Sequence, residues 1–98
     1  MKTIKLGPIE DFEGNPILNG EQPFTLKQVF MNVLGRSNPE EDGEATLNAY
    51  AVGLKIGACK SADIELEDAE IGIIRKAIEF NGPGYIRLIK APALLAVS

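Results

Sequence analysis

The chain contains no histidine, only one cysteine and no apolar run as long as a membrane span. Each absence removes a class of function. Without histidine there is no Ser/His/Asp triad, no Cys/His dyad and no histidine-bearing zinc site, and the usual pH switch is missing as well. The lone Cys59 rules out an internal disulfide and any multi-cysteine metal centre. The stretch MKTIKLGPIE lacks the apolar core of a signal peptide, so an intracellular, cytoplasmic location with no membrane contact is expected. Carboxylate chemistry remains possible for an enzyme, and the expectation is a non-enzyme that needs no cofactor or metal.

What is present describes a folded protein. Ninety-eight residues suffice for one domain, 1–98, with a modest core. The 45% hydrophobic and 24% charged content is that of a globular chain rather than a disordered one. The formal charge of −4 is unevenly spread. Residues 1–37 balance, residues 38–70 carry nine acids against Lys55 and Lys60, and residues 71–98 carry Arg75, Lys76, Arg87 and Lys90 against Glu79 alone. Such a division bears on partners more than on fold.

Residues 2–6 alternate as a strand does. Ile9 to Phe12 and Asn15 to Leu18 can pair as two short strands around Glu13-Gly14, with Pro16 suited to an edge. The same stretch, DFEGNPILNG, also invites a calcium-loop reading. Placing Asp11, Glu13 and Asn15 at ligand positions one, three and five puts Pro16 at the obligatory glycine and Gln22 at the bidentate carboxylate. Both essential places fail, and the stretch reads as a hairpin bend.

PFTLKQVFMNVLG carries a helix signature. Thr25 with Gln28 makes a capping box, and Phe24 with Val29 makes a hydrophobic staple. Leu26, Val29, Phe30, Val33 and Leu34 follow one helical face, and Gly35 stops it. After the polar loop RSNPEEDGE a second helix is expected from about Glu44 to Ile56. Its buried side is expected at Leu47, Tyr50, Ala51 and Leu54, and Gly57 is the expected stop. ADIEL can be extended. LEDAEIGIIRKAIEF gives a third helix with Ile71, Ile74 and Ile78 inward, supplemented by Ile73 and Ala77. YIRLIKAPALLAVS reads as a fourth helix, broken or kinked near Pro92.

Few residues offer chemistry. PEEDGE and DIELEDAE are acid-rich but lack glycine-punctuated ligand spacing, and a solvated loop and an acidic first helical turn explain them. NGPGYIRLIK lacks the spacing of a phosphate loop and reads as a turn. Cys59 has no histidine to activate it and reads as a passive small residue. Arg75, Lys76, Arg87 and Lys90, beside Tyr85, form a thin basis for a nucleic-acid patch on an otherwise acidic chain; the plainer reading is solvated helix faces.

The succession DFEGNPI, TLKQVFMNVL, LNAYAVGLKI and IELEDAEIGIIRKAI followed by an apolar tail resembles a group of small phage and prophage proteins, from about Asp11 to Leu95. Members of that group commonly introduce the third helix with Thr or Asp where this chain has Glu67. The resemblance implies a viral or prophage origin and an accessory role, and it carries over no catalytic residue. A phage-encoded protein would act in the host cytoplasm or with the virion.

These readings give a mainly α domain with a short N-terminal β-hairpin arm (1–22) and a core of three to four helices (25–96). The expected function is protein interaction or assembly, with a protein partner or a second copy, a homodimer being preferred. Tyr85, Ile86, Leu88, Ile89, Leu94, Leu95 and Val97 are the expected contact residues, because they cannot all face one small core. A small nucleic-acid-associated regulator using Arg75, Lys76, Arg87 and Lys90 is the alternative.

Overall fold

The computed structural model describes residues 1–36, 41–80 and 87–97. The elements in order are β1 (Lys2–Lys5), β2 (Leu18–Asn19), β3 (Gln22–Pro23), α1 (Leu26–Leu34), α2 (Gly43–Ala58), β4 (Asp63–Leu66), α3 (Asp68–Phe80) and α4 (Arg87–Ala96). The molecule is a small α+β domain with helices predominating, as the periodicities predict.

The alternation in KTIKL becomes β1, whose partner is β4, some sixty residues on. The two strands pair antiparallel, with Ile4 opposite Ile64 and Lys2 opposite Leu66. Leu6 extends the ladder through its amide to the Ala62 carbonyl at 2.7 Å. Ile4, Leu6, Ile64 and Leu66 point into the core, while Lys2, Thr3, Asp63 and Glu65 stay in water. The residues between β1 and α1 fold back on themselves twice. Glu10 bridges Pro16, and the Ile17 amide donates to the Ile9 carbonyl at 2.8 Å, so the expected pairing around Glu13-Gly14 forms as an isolated bridge rather than as two strands. Gly14 takes a φ of 86°, which a side chain would strain. The Asp11 carboxylate accepts from the amides of Glu13 and Asn15, so it organises its own bend. A second turn joins β2 to β3 through Gly20-Glu21, with Gly20 at a φ of 71°. Asn19-Gly20 is the sequence signal for it.

α1 forms as its signature requires. Thr25 Oγ1 accepts from the Gln28 amide at 3.2 Å, and Gln28 Oε1 accepts from the Thr25 amide at 3.3 Å. All five residues of its stripe are buried. α3 likewise buries Ile71, Ile74 and Ile78, with Ile73 and Ala77 at the margin. Its start is half a capping box. Glu70 Oε1 accepts from the Glu67 amide at 3.0 Å, but the Glu67 side chain gives nothing comparable back. α4 is one helix that runs through Pro92, and it turns Ala93 and Val97 inward.

α2 departs from expectation. It starts at Gly43 behind the Asp42 cap, whose carboxylate accepts from the Ala45 amide at 2.7 Å, and it continues through Gly57 to Ala58. Its buried residues are Ala49, Val52 and Ile56. Leu47, Tyr50, Ala51 and Leu54, the predicted inner row, are exposed. The physical reason is that α2 carries two apolar rows on opposite sides. α2 packs against both α1 and α3, which also touch each other, and there the row of smaller side chains gives the closer fit. The buried residues of all elements form one core cluster.

Candidate interaction surface

Successive residues of a helix turn by about 100°, so Leu47, Tyr50, Ala51 and Leu54 lie on the side of α2 opposite Ala49, Val52 and Ile56. Leu47 is 68% exposed, Tyr50 64% and Leu54 57%. Met31, on the outer side of α1, adds a fourth large apolar side chain at 44%. Side chains of this class present roughly 150–200 Å² each, so the four together offer roughly 400 Å² of mostly apolar surface. The largest apolar patch on a typical monomer is of about this size and is often functional. α2 has only Glu44 and Lys55 as charged residues. Lys55 is held by Glu70 at 3.0 Å, toward α3.

Between α1 and α2 the patch dips into a groove of about 160 Å³, walled by Met31, Tyr50 and Leu54 with Gly53 in its floor. A Cβ on Gly53 would meet only Leu34 Cβ at 3.8 Å, an ordinary contact. Packing within the chain therefore does not demand glycine there, although glycine in a helix interior costs about 1 kcal/mol relative to alanine. Its effect is a bare backbone at the bottom of the groove.

The C-terminal end of α2 is fixed from two sides. Lys27 Nζ donates to the Cys59 carbonyl at 2.8 Å, and Lys55 Nζ donates to both Glu70 oxygens at 3.0 and 3.2 Å. The backbone hydrogen bond from Glu67 holds the Glu70 carboxyl below its ordinary range; partial burial opposes it, and Lys55 adds to the lowering. Cys59 Sγ faces the carbonyls of Ser61 and Asp63 at 3.8 and 3.4 Å, so the thiol sits within a turn.

A larger cleft of about 330 Å³ opens where the end of α1, the start of α2 and the end of α3 meet. Its floor includes Val33, Ala49 and Ile73, and Arg36, Lys76, Glu41 and Asp42 stand among its lining residues. Both carboxylates are tied to the first turn of α2, Asp42 as the cap and Glu41 by accepting from Thr46 Oγ1 at 3.1 Å. No group of three or more potential metal ligands converges among the described residues. No helix among them is long and apolar enough to cross a membrane.

The residues expected at a C-terminal contact surface are divided by the structure. Val97 is buried and belongs to the core, which corrects its assignment to a partner surface; its place one turn after Ala93 turns it inward. Leu88, Ile89 and Leu94 are half-buried, and Ile89 and Leu94 pack against the core. Leu95 alone is fully presented, at 75%. Tyr85 and Ile86 lie outside the described residues, as do the glycines of NGPG. Of the four cations, Arg75 is paired with Glu79 at 3.4 Å on α3, Lys76 lines the cleft, and Arg87 and Lys90 occupy the first turn of α4.

Compared with protein-family models, with curated proteins and with solved structures, the chain finds no match in any of the three. Its function is therefore argued from its own surface.

Proposed function

We propose that the protein is a non-enzymatic interaction module that docks through the outer face of α2 and the adjoining edge of α1. The observation that carries this reading is the second apolar row, Leu47, Tyr50 and Leu54, exposed directly opposite the row that enters the core. A helix apolar on both sides is normally covered on both sides. The occupant it suits is an apolar protein face with few charges, because a charge set against this row would be desolvated without a partner. Tyr50 fits the role of an anchor, since it offers a large rigid ring with a polar tip, and tyrosine is enriched where contacts concentrate binding energy. The bare groove floor at Gly53 allows close approach.

Site-specific photocross-linking in the cells that make the protein tests the reading. Tyr50→p-benzoylphenylalanine is compared with the same replacement at Gly72, an exposed α3 position where an added Cβ meets nothing within 4 Å. A discrete adduct is expected at position 50, absent at position 72 and lost when Leu54→Asp is added. Equal products at both positions, or none at position 50, would remove the support for docking here.

A further inference from the structure

Resting on that reading, we infer that the occupant is a second copy of this chain, with two α2 helices packed antiparallel across a two-fold axis between Tyr50 and Ala51. The row is symmetric about that point in a way that suits itself. Leu47 and Leu54 stand equally far on either side, so each meets the partner's Leu54 or the partner's Leu47. Tyr50 falls opposite the partner's Ala51, a large side chain over a small one, and the reciprocal contact repeats the fit. Two-fold interfaces require this self-complementarity.

The charges select the antiparallel arrangement. Glu41, Asp42 and Glu44 stand at the N-terminal end of α2, and Lys60 follows its C-terminal end. The side chains of Glu44 and Lys60 have no hydrogen-bond or ion-pair partner among the described residues. Antiparallel pairing in this register sets Glu44 level with the partner's Gly57, one residue before the end of the partner's α2, after which Lys60 follows. A parallel pair would set like charges together at both ends. The helix dipoles also oppose each other favourably in the antiparallel pair.

The area sets the strength. Roughly 400 Å² per copy from the four large side chains, with some rim added, lies near the lower limit of about 1,000 Å² in total for a specific interface. The dimer is accordingly weak, with a dissociation constant in the micromolar range.

Sedimentation velocity of the intact chain, from about 1 to 300 μM at physiological salt, tests the proposal around that range. Wild type is expected to pass from monomer to dimer, and Tyr50→Asp to stay monomeric. Glu44→Lys and Lys60→Glu are each expected to dimerise roughly tenfold more weakly, since two exposed pairs are reversed at once. Mixing the two variants in equal amounts should restore association, because in the mixed dimer both contacts are again of opposite sign. A monomer at every concentration overturns self-pairing, while a foreign adduct in the cross-linking experiment would still uphold docking. A dimer indifferent to Tyr50→Asp overturns the face. Failure of the mixture to regain affinity overturns the antiparallel register.

Discussion

Ile56 and Leu54 lie two residues apart on α2, and truncating each to alanine removes the same number of carbons. The structure predicts opposite outcomes. Ile56 is 0% exposed and sits in the core, whereas Leu54 is 57% exposed on the far side. At about 0.8 kcal/mol per buried carbon, Ile56→Ala loses about 2.4 kcal/mol of transfer free energy. The cavity it leaves raises the cost to about 3–4 kcal/mol. Leu54→Ala forfeits less than half of the same transfer term, about 1 kcal/mol, and leaves no enclosed void. Alanine's better helix propensity offsets part of that by about 0.2 kcal/mol.

The assay is urea or thermal unfolding at low micromolar concentration, where self-association adds little to apparent stability. For a domain of this size each kcal/mol moves the midpoint by about 4–8 °C. Ile56→Ala should therefore lower it by about 12–30 °C and Leu54→Ala by no more than about 8 °C. Equal losses, or a larger loss at Leu54, would mean that the row of larger side chains is the inner one. Leu47, Tyr50 and Leu54 would then no longer be the docking surface, and the fold assignment of α2 would fall with them.

Two further outcomes follow from the same region. Gly53→Ala should raise stability by about 0.5–1 kcal/mol, because the helix gains propensity and the new Cβ meets only Leu34 at 3.8 Å. It should also weaken association by filling the groove floor, and chemical denaturation beside sedimentation separates the two effects. Glu70 is a carboxylate whose folded pKa lies below its ordinary 4.5, so its stabilising contribution is present above that value and is lost as pH falls through the folded pKa. Wild type should consequently lose more stability than Glu70→Gln between neutral pH and about pH 3, measured by denaturant melts at each pH, and parallel profiles would refute the role given to the Glu67 and Lys55 hydrogen bonds.

The local elements were legible because their signals are local. The Thr25–Gln28 box, the Phe24–Val29 staple and the five-residue stripe of α1 lie within ten residues and agree with one another. The isoleucines of α3 leave one face to choose. β1 was visible as alternation, but its partner was not, since nothing in KTIKL specifies DIEL; both are short amphipathic runs, and the pairing is settled by how the helices between them pack. The arm was half-read. Glu13-Gly14 marked one bend, while Asn19-Gly20, the stronger turn signal, marks a second.

The surface was misread for a reason that also explains why it exists. Hydrophobic pattern ranks rows by the size of their side chains, and Leu47, Tyr50 and Leu54 together outrank Ala49, Val52 and Ile56. Size is the wrong criterion for a helix pressed against two others. Small residues on the inner row bring α2 close enough to α1 that a Cβ on Gly53 would already touch Leu34, and a tyrosine in that slot would overpack the core. The available clue was the near absence of charge. A helix of sixteen residues with only Glu44 and Lys55 charged has only a narrow polar stripe to give to water. Whichever row enters the core, the other is left exposed on the outside. Exchanging the rows would not remove the patch, because the sequence carries more apolar surface on α2 than one side of a helix can bury. The surplus is thus a property of the sequence, and the fold decides only that its larger side chains are the ones presented.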